Sequence, residues 1–154
     1  MSLTVRVLRT PDADPDVPLP VYKTAGAAGA DLYANFPEGA RGGVTVPPGG
    51  RVRVPTGLIL ELPEGHEGQV RPRSGLAWSE GLTVLNAPGT IDSDYRAEVM
   101  VLLVNLGAAP VVVRHGTRIA QLVLAPVTRA TFAAADTVGA TARGTGGFGS
   151  TGRD

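Results

Sequence analysis

The chain has 154 residues, enough for one domain with a real core, and its 14 basic residues are balanced by 14 acidic ones. Zero net charge gives no general attraction to DNA or RNA and no reason to expect a membrane surface, so an anionic partner should be small and held by placed arginines. The absence of cysteine excludes disulfides, thiol catalysis and cysteine-metal sites, and two histidines, His66 and His115, argue against a protein-built zinc site.

Hydrophobic residues make up 43% of the chain, so its middle is not disordered, while 21 glycines and 13 prolines punctuate it too often for a helical protein. Short apolar runs cut by these residues indicate an all-β sandwich or barrel. Residues 4–8 alternate in polarity and read as a strand, not as a signal peptide. No apolar stretch approaches the roughly 20 residues that cross a bilayer, so a cytoplasmic protein is expected.

Residues 11–20 carry four prolines and form an extended surface connection. Their aspartates, Asp12, Asp14 and Asp16, lack the glycine and terminal glutamate of a calcium loop. Residues 25–31, Ala-Gly-Ala-Ala-Gly-Ala-Asp, are small enough for another backbone or a ligand to come close, or are simply a loop. They end in the carboxylate of Asp31. Strands follow at 32–34, 44–46, 52–54 and 58–62, and residues 63–66 read as a turn. Residues 69–73 lead into the one convincing helix, 74–81, with Ser74 as its cap and Gly81 as its stop. Arg73, the Ser74 hydroxyl and free backbone N–H groups at that start are the chemistry of a phosphate site, and equally of an ordinary cap. Trp78 reads as core or interface packing.

The stretch 86–98, Asn-Ala-Pro-Gly-Thr-Ile-Asp-Ser-Asp-Tyr-Arg-Ala-Glu, lies between strands at 82–85 and 99–104 and reads as a hairpin tip. A carboxylate there, Asp92, suits proton transfer from water, and the Tyr95 ring suits stacking on a flat ligand or a sugar. The competing reading is that Asp92 and Ser93 bond their own backbone and merely make the turn. Residues 99–106 look buried on both faces, and strands at 111–113 and 118–127 complete the set, the last interrupted by Gln121. The tail from Arg143 is too glycine-rich to fold alone, yet its Phe148, Ser150 and Thr151 could wrap a phosphate and cover a base. No repeat or linker divides the chain, so residues 1–142 form a single β domain and 143–154 an arm.

Five segments in order resemble the homotrimeric deoxyuridine triphosphatases, the dUTPases. They are residues 25–32, 71–77 (Arg-Pro-Arg-Ser-Gly-Leu-Ala), 86–98, 118–122 (Arg-Ile-Ala-Gln-Leu) and 143–152. The resemblance implies a jelly-roll-like β fold, a homotrimer with shared sites, and Mg²⁺-dependent hydrolysis of dUTP to dUMP and pyrophosphate, which limits uracil in DNA and supplies dUMP for thymidylate synthesis. It implies that Asp92 deprotonates the water attacking the α-phosphorus and that Tyr95 lies under the deoxyribose. Asn86, Gly89, Ile91 and Phe148 then hold uracil and sugar. Arg73, Ser74, Gly75, Gln121, Arg143, Gly149, Ser150 and Thr151 contact phosphates, and Asp31 reaches the metal site through water. Two positions depart from the pattern: Ala97 stands where glycine is usual, and Ala30 is smaller than in many relatives. The rivals are a deaminase of the same fold acting on dCTP, for which Glu98 is the only further acidic residue near the hairpin although its place suits a strand residue better, and a non-catalytic trimer that binds nucleotide or a protein partner.

Overall fold

A computed structural model of the chain describes residues 3–147. Among them every strand pairing is antiparallel. β1 (Arg6–Arg9) pairs with β5 (Leu58–Glu61), and β3 (Val44–Val46) with β10 (Val111–Val113). A four-stranded sheet runs β2 (Ala30–Tyr33), β11 (Arg118–Pro126), β6 (His66–Arg71), β8 (Gly89–Ile91), and a three-stranded sheet runs β4 (Arg51–Pro55), β9 (Met100–Asn105), β7 (Leu82–Val84). One core joins them: Leu32 of β2, Val46 of β3, Val54 of β4, Leu60 of β5 and Val101 and Leu103 of β9 are all fully buried. The all-β expectation holds, in the jelly-roll-like form.

Alternation explains most of the strands. In β4, Arg51 and Arg53 face water while Val54 enters the core, as a period of two requires. β9 is less uniform than expected, because Val101 and Leu103 are buried while Met100 and Leu102 are only half-buried. Asn105 ends that strand with its buried amide donating to the carbonyls of Val46 and Ala109 at 2.9 and 2.8 Å, which satisfies a polar group that burial would otherwise penalise.

Several readings change. The stretch 86–98 is not a hairpin tip. β7 and β9 do pair, but between them the chain crosses to the other sheet and adds β8 against β6. β6 begins at His66, inside the expected turn, because Glu67, Gln69 and Arg71 form its wet face and disguise it. The helix, α1 (Ser74–Glu80), ends as read, with Gly81 at φ +69° and its N–H bonded to Ala77 and Leu76. Its start differs: Arg73 is the cap position and no side chain caps it, so Ser74 is the first helical residue. Trp78 is 93% exposed and is no part of this chain's core. The 3-10 turn Glu38–Ala40 was not expected. After β11, residues 128–147 contain no strand or helix and are almost entirely exposed, well before Arg143. No helix among the described residues is long and apolar enough to cross a membrane.

Candidate functional site

The sequence-selected residues fall into two groups on the four-stranded sheet. The first surrounds Asp31, which β2 buries to 2% exposure. An unpaired carboxylate at such depth costs several kcal/mol, so cations must come to it. Two do. Arg118 Nη1 lies 3.1 Å from Oδ2, and Arg73 Nε lies 3.7 Å from Oδ1. Arg73 also donates from Nη1 to the carbonyl of Arg118 at 3.2 Å. Gln121 sits in register between Asp31 on β2 and Arg71 on β6, so all three side chains share one face. A methyl on Gly29 would come within 3.1 Å of the Gln121 side chain, so the smallness of that loop admits a residue of the site itself. Ser74 and Gly75 are exposed at the start of α1, and nothing lies within 4 Å of where a Gly75 side chain would begin. The chain's own packing does not demand glycine there, which leaves room for something outside the chain to approach. The guanidinium of Arg73 has five N–H groups, most of them uncommitted among the described residues, in a fork suited to phosphate oxygens.

The second group lines a cleft of about 280 Å³ between β8 and β9. Asn86, Gly89, Ile91 and Tyr95 line it together with Arg53, Val70 and Met100. Gly89 gives Asn86 room: a methyl there would stand 3.1 Å from the Asn86 amide nitrogen, a contact that the side chain would have to relieve by shifting a few tenths of an ångström. The side chain of Ile91 is buried, and the next residue, Asp92, is exposed on the other side of the strand. Asp92 lines a wider groove of about 1,110 Å³, and Thr90 lines both spaces, so they meet at β8.

Bonds to main-chain carbonyls, two of them from the Arg96 guanidinium, close the turn after β8. Tyr95 N–H donates to the Asp92 carbonyl at 3.1 Å, and Arg96 donates to the carbonyls of Ser93 and Tyr95. Among the described residues no side-chain partner holds the Asp92 carboxylate, so turn-making does not account for it. The Tyr95 hydroxyl donates to the Glu98 carbonyl at 3.0 Å, and the Glu98 carboxylate accepts the N–H of Gly57 at 2.7 Å. Gly57 has φ +67° and a methyl on it would come within 2.7 Å of Ala13, so this corner is tightly specified. Glu98 therefore fixes the loop rather than facing the ring of a ligand.

Arg143 lies in the exposed tail, with its Nε donating to the carbonyl of Gly146 at 2.9 Å. Phe148, Gly149, Ser150 and Thr151 lie outside the described residues. Arg118 was missed, although it opens one of the five segments; its signal was the pair of apolar residues that follows it, which breaks strand alternation. Among the described residues no three His, Asp or Glu side chains gather in a way that could hold a metal ion.

The family model described as dUTPase matches residues 16–152. The chain is 59% identical over 150 residues to the deoxyuridine 5'-triphosphate nucleotidohydrolase of Methylocella silvestris, covering 97% of this chain and 92% of that one. Among solved structures it resembles the dUTPase of Staphylococcus bacteriophage 80alpha with dUPNHPP, at TM-score 0.84 and 21% identity, covering 97% and 98% of the two chains. It also resembles a mutant dUTPase from phage phi11 of S. aureus with a structural Mg(II) ion, at TM-score 0.73 and 17% identity, covering 88% and 98%. At these identities the two phage structures bear on the fold alone.

Proposed function

The chain belongs to the dUTPase family, and from that membership and the geometry of its two clusters we propose how it hydrolyses dUTP to dUMP and pyrophosphate. The observation that carries the reading is the exposed carboxylate of Asp92, without a side-chain partner among the described residues, in the groove that Thr90 shares with the cleft. Asp92 takes a proton from water as the water oxygen bonds to the α-phosphorus, and the bond to the β-phosphate oxygen breaks to release pyrophosphate. Arg73, Ser74, Gly75 and Gln121 hold the phosphates, the guanidinium by charge and the helix start by its free N–H groups. Uracil lies in the cleft beside Asn86, Gly89 and Ile91. Cytosine presents swapped donors and acceptors, and each buried group left unpaired costs about 1–3 kcal/mol. The Tyr95 ring, pinned through its hydroxyl to Glu98, crowds out a ribose 2′-hydroxyl. Ala97 lies inside that pinned turn and is exposed, so its added methyl meets no core.

Mg²⁺ belongs to this proposal as an ion carried mainly by the substrate, where it neutralises the triphosphate and steadies the leaving pyrophosphate. The residue of this chain that would reach it, through water, is Asp31. Asp31 is already bonded to Arg118, yet a carboxylate accepts about four hydrogen bonds, so a metal-bound water remains compatible with it. The homotrimer is likewise proposed. Gln121 and Asp31 share the outer face of the sheet with Arg71, whereas Gly89 shares the face of Val70, so β6 separates the two half-sites within one copy. Sites shared between copies would reunite them, and the arm from Arg143 through Phe148, Gly149, Ser150 and Thr151 would close over base and phosphate. A cytoplasmic setting goes with this reading.

The test is pyrophosphate release from dUTP with Mg²⁺, run beside dCTP, dTTP and UTP. Release from dUTP alone supports the reading. Ammonia from dCTP would move it to the deaminase, which the bond from Gly57 to Glu98 disfavours. Bound but unreacted dUTP would make the protein a nucleotide-binding regulator.

A further inference from the structure

The register of β11 contains an irregularity placed between its two site residues. Gln121 faces Asp31, and in an unbroken strand a residue three positions earlier points to the opposite face. Arg118 would then be driven toward the core. Instead the pairing slips by one residue between Arg118 and Ala120, and Ile119 and Ala120 are buried in succession at 2% and 0% exposure. One extra residue restores Arg118 to the face of Asp31, where its Nη1 meets Oδ2 at 3.1 Å. We propose that this bulge exists to aim Arg118, and that Arg118 is a positioning residue which keeps Arg73 available for the substrate's phosphates. The proposal rests on the dUTPase reading and deepens it.

The physical case is a competition for one buried carboxylate. Asp31, its side chain 3% exposed, needs positive charge. Arg118 supplies the short contact, so Arg73 sits at 3.7 Å, attracted to Asp31 without being fully committed to it. The carbonyl of Arg118 also accepts a bond from Arg73 Nη1 at 3.2 Å, so the same residue fixes the second edge of that guanidinium. Without the Arg118 charge, Asp31 would draw Arg73 inward and away from an incoming phosphate. Arg118 itself touches no substrate in this scheme.

The experiment is a double-mutant cycle on dUTP hydrolysis with Arg73→Gln, Arg118→Gln and both, in the full chain. Activity of the unaltered protein on dUTP is measured first; its absence would overturn the function and not this inference. Arg118→Gln should raise KM for dUTP about 10-fold while inhibition by dUMP, which lacks the β- and γ-phosphates, changes less than about 2-fold. Arg118→Lys, which restores the charge, should return KM to within about 3-fold of the starting value. The double variant should be no worse than Arg73→Gln alone, because Arg118 acts through Arg73. Multiplying losses in the double variant, or equal losses for dUTP and dUMP, would overturn the proposal. Should Arg118→Gln not fold, the cycle run with Arg118→Lys and Arg73→Gln makes the same two comparisons on a smaller loss, and the same two results would overturn the proposal.

Discussion

The Asp31 corner and the stretch from Asn86 to Glu98 hold their side chains by opposite means. At Asp31 a buried charge fixes two arginines, and little else is needed. Around β8 no such buried charge stands among the described residues; the loop is set by bonds to main-chain carbonyls, by a glycine under an amide at Gly89, and by one carboxylate, Glu98, that accepts a main-chain N–H. The difference matches what each must recognise. Phosphates are bound by charge, which acts at a distance and tolerates small errors, whereas a pyrimidine edge is read by hydrogen bonds that fail within a few tenths of an ångström. The chemistry is assigned to Asp92 in the neighbouring groove, whose carboxylate has no partner among the described residues.

That division of labour can be broken one region at a time. Asp92→Asn should lower kcat by about 10³-fold or more while dUTP binding stays within a few-fold, because only proton transfer is lost. Steady-state kinetics beside calorimetric binding measures it, and near-normal turnover would remove Asp92 from the mechanism. Removal of all residues after Ala142 should lower turnover about 100-fold and leave the assembly unchanged on gel filtration; a fully active truncation would leave the arm no part in closure. Gly89→Ala should weaken dUTP about 10-fold, since Asn86 must yield to the new methyl, with almost no change in the affinity for inorganic pyrophosphate. Equal weakening of both ligands would mean that the two regions are not separate.

The smallest expected effect lies outside both. Asp14 accepts the N–H of Asp16 and faces His115 and Arg41, and these bonds hold its carboxyl below the 3.8 of an unperturbed aspartate. His115 takes the Phe36 N–H on Nδ1, so its proton sits on Nε2 and is donated to Asp14. A lowered native pKa stabilises the fold above the unfolded value, and that contribution disappears as pH falls from about 3.8 through the native value. Asp14→Asn should therefore lower Tm modestly at pH 7, lose the difference below pH 3.8, and leave kcat alone. A change in kcat would tie this surface cluster to the site.

Much of this was legible in the residues. Val44–Val46 and Val111–Val113 lie between unambiguous turns, and Ser74–Glu80 ends at a glycine that only a left-handed cap requires. The crossing of the chain to β8 was not legible, because Gly89-Thr90-Ile91 is too short and too glycine-led to stand out, and pairing with β6 decides it. Arg118 was hidden for a sharper reason. Strand parity assigns it to the core side, and only the extra residue between it and Ala120 reverses that. Of the two readings of Trp78, core packing is overturned by its 93% exposure in the single chain, and interface packing is left as the other.

In the proposed reaction water attacks the α-phosphorus with Asp92 as its base. The most direct measurement is a single turnover of dUTP in ¹⁸O-labelled water, followed by mass spectrometry of both products. Attack at the α-phosphorus puts the label in the phosphate of dUMP and none in pyrophosphate. Label in pyrophosphate would place the attack at the β-phosphorus and contradict it.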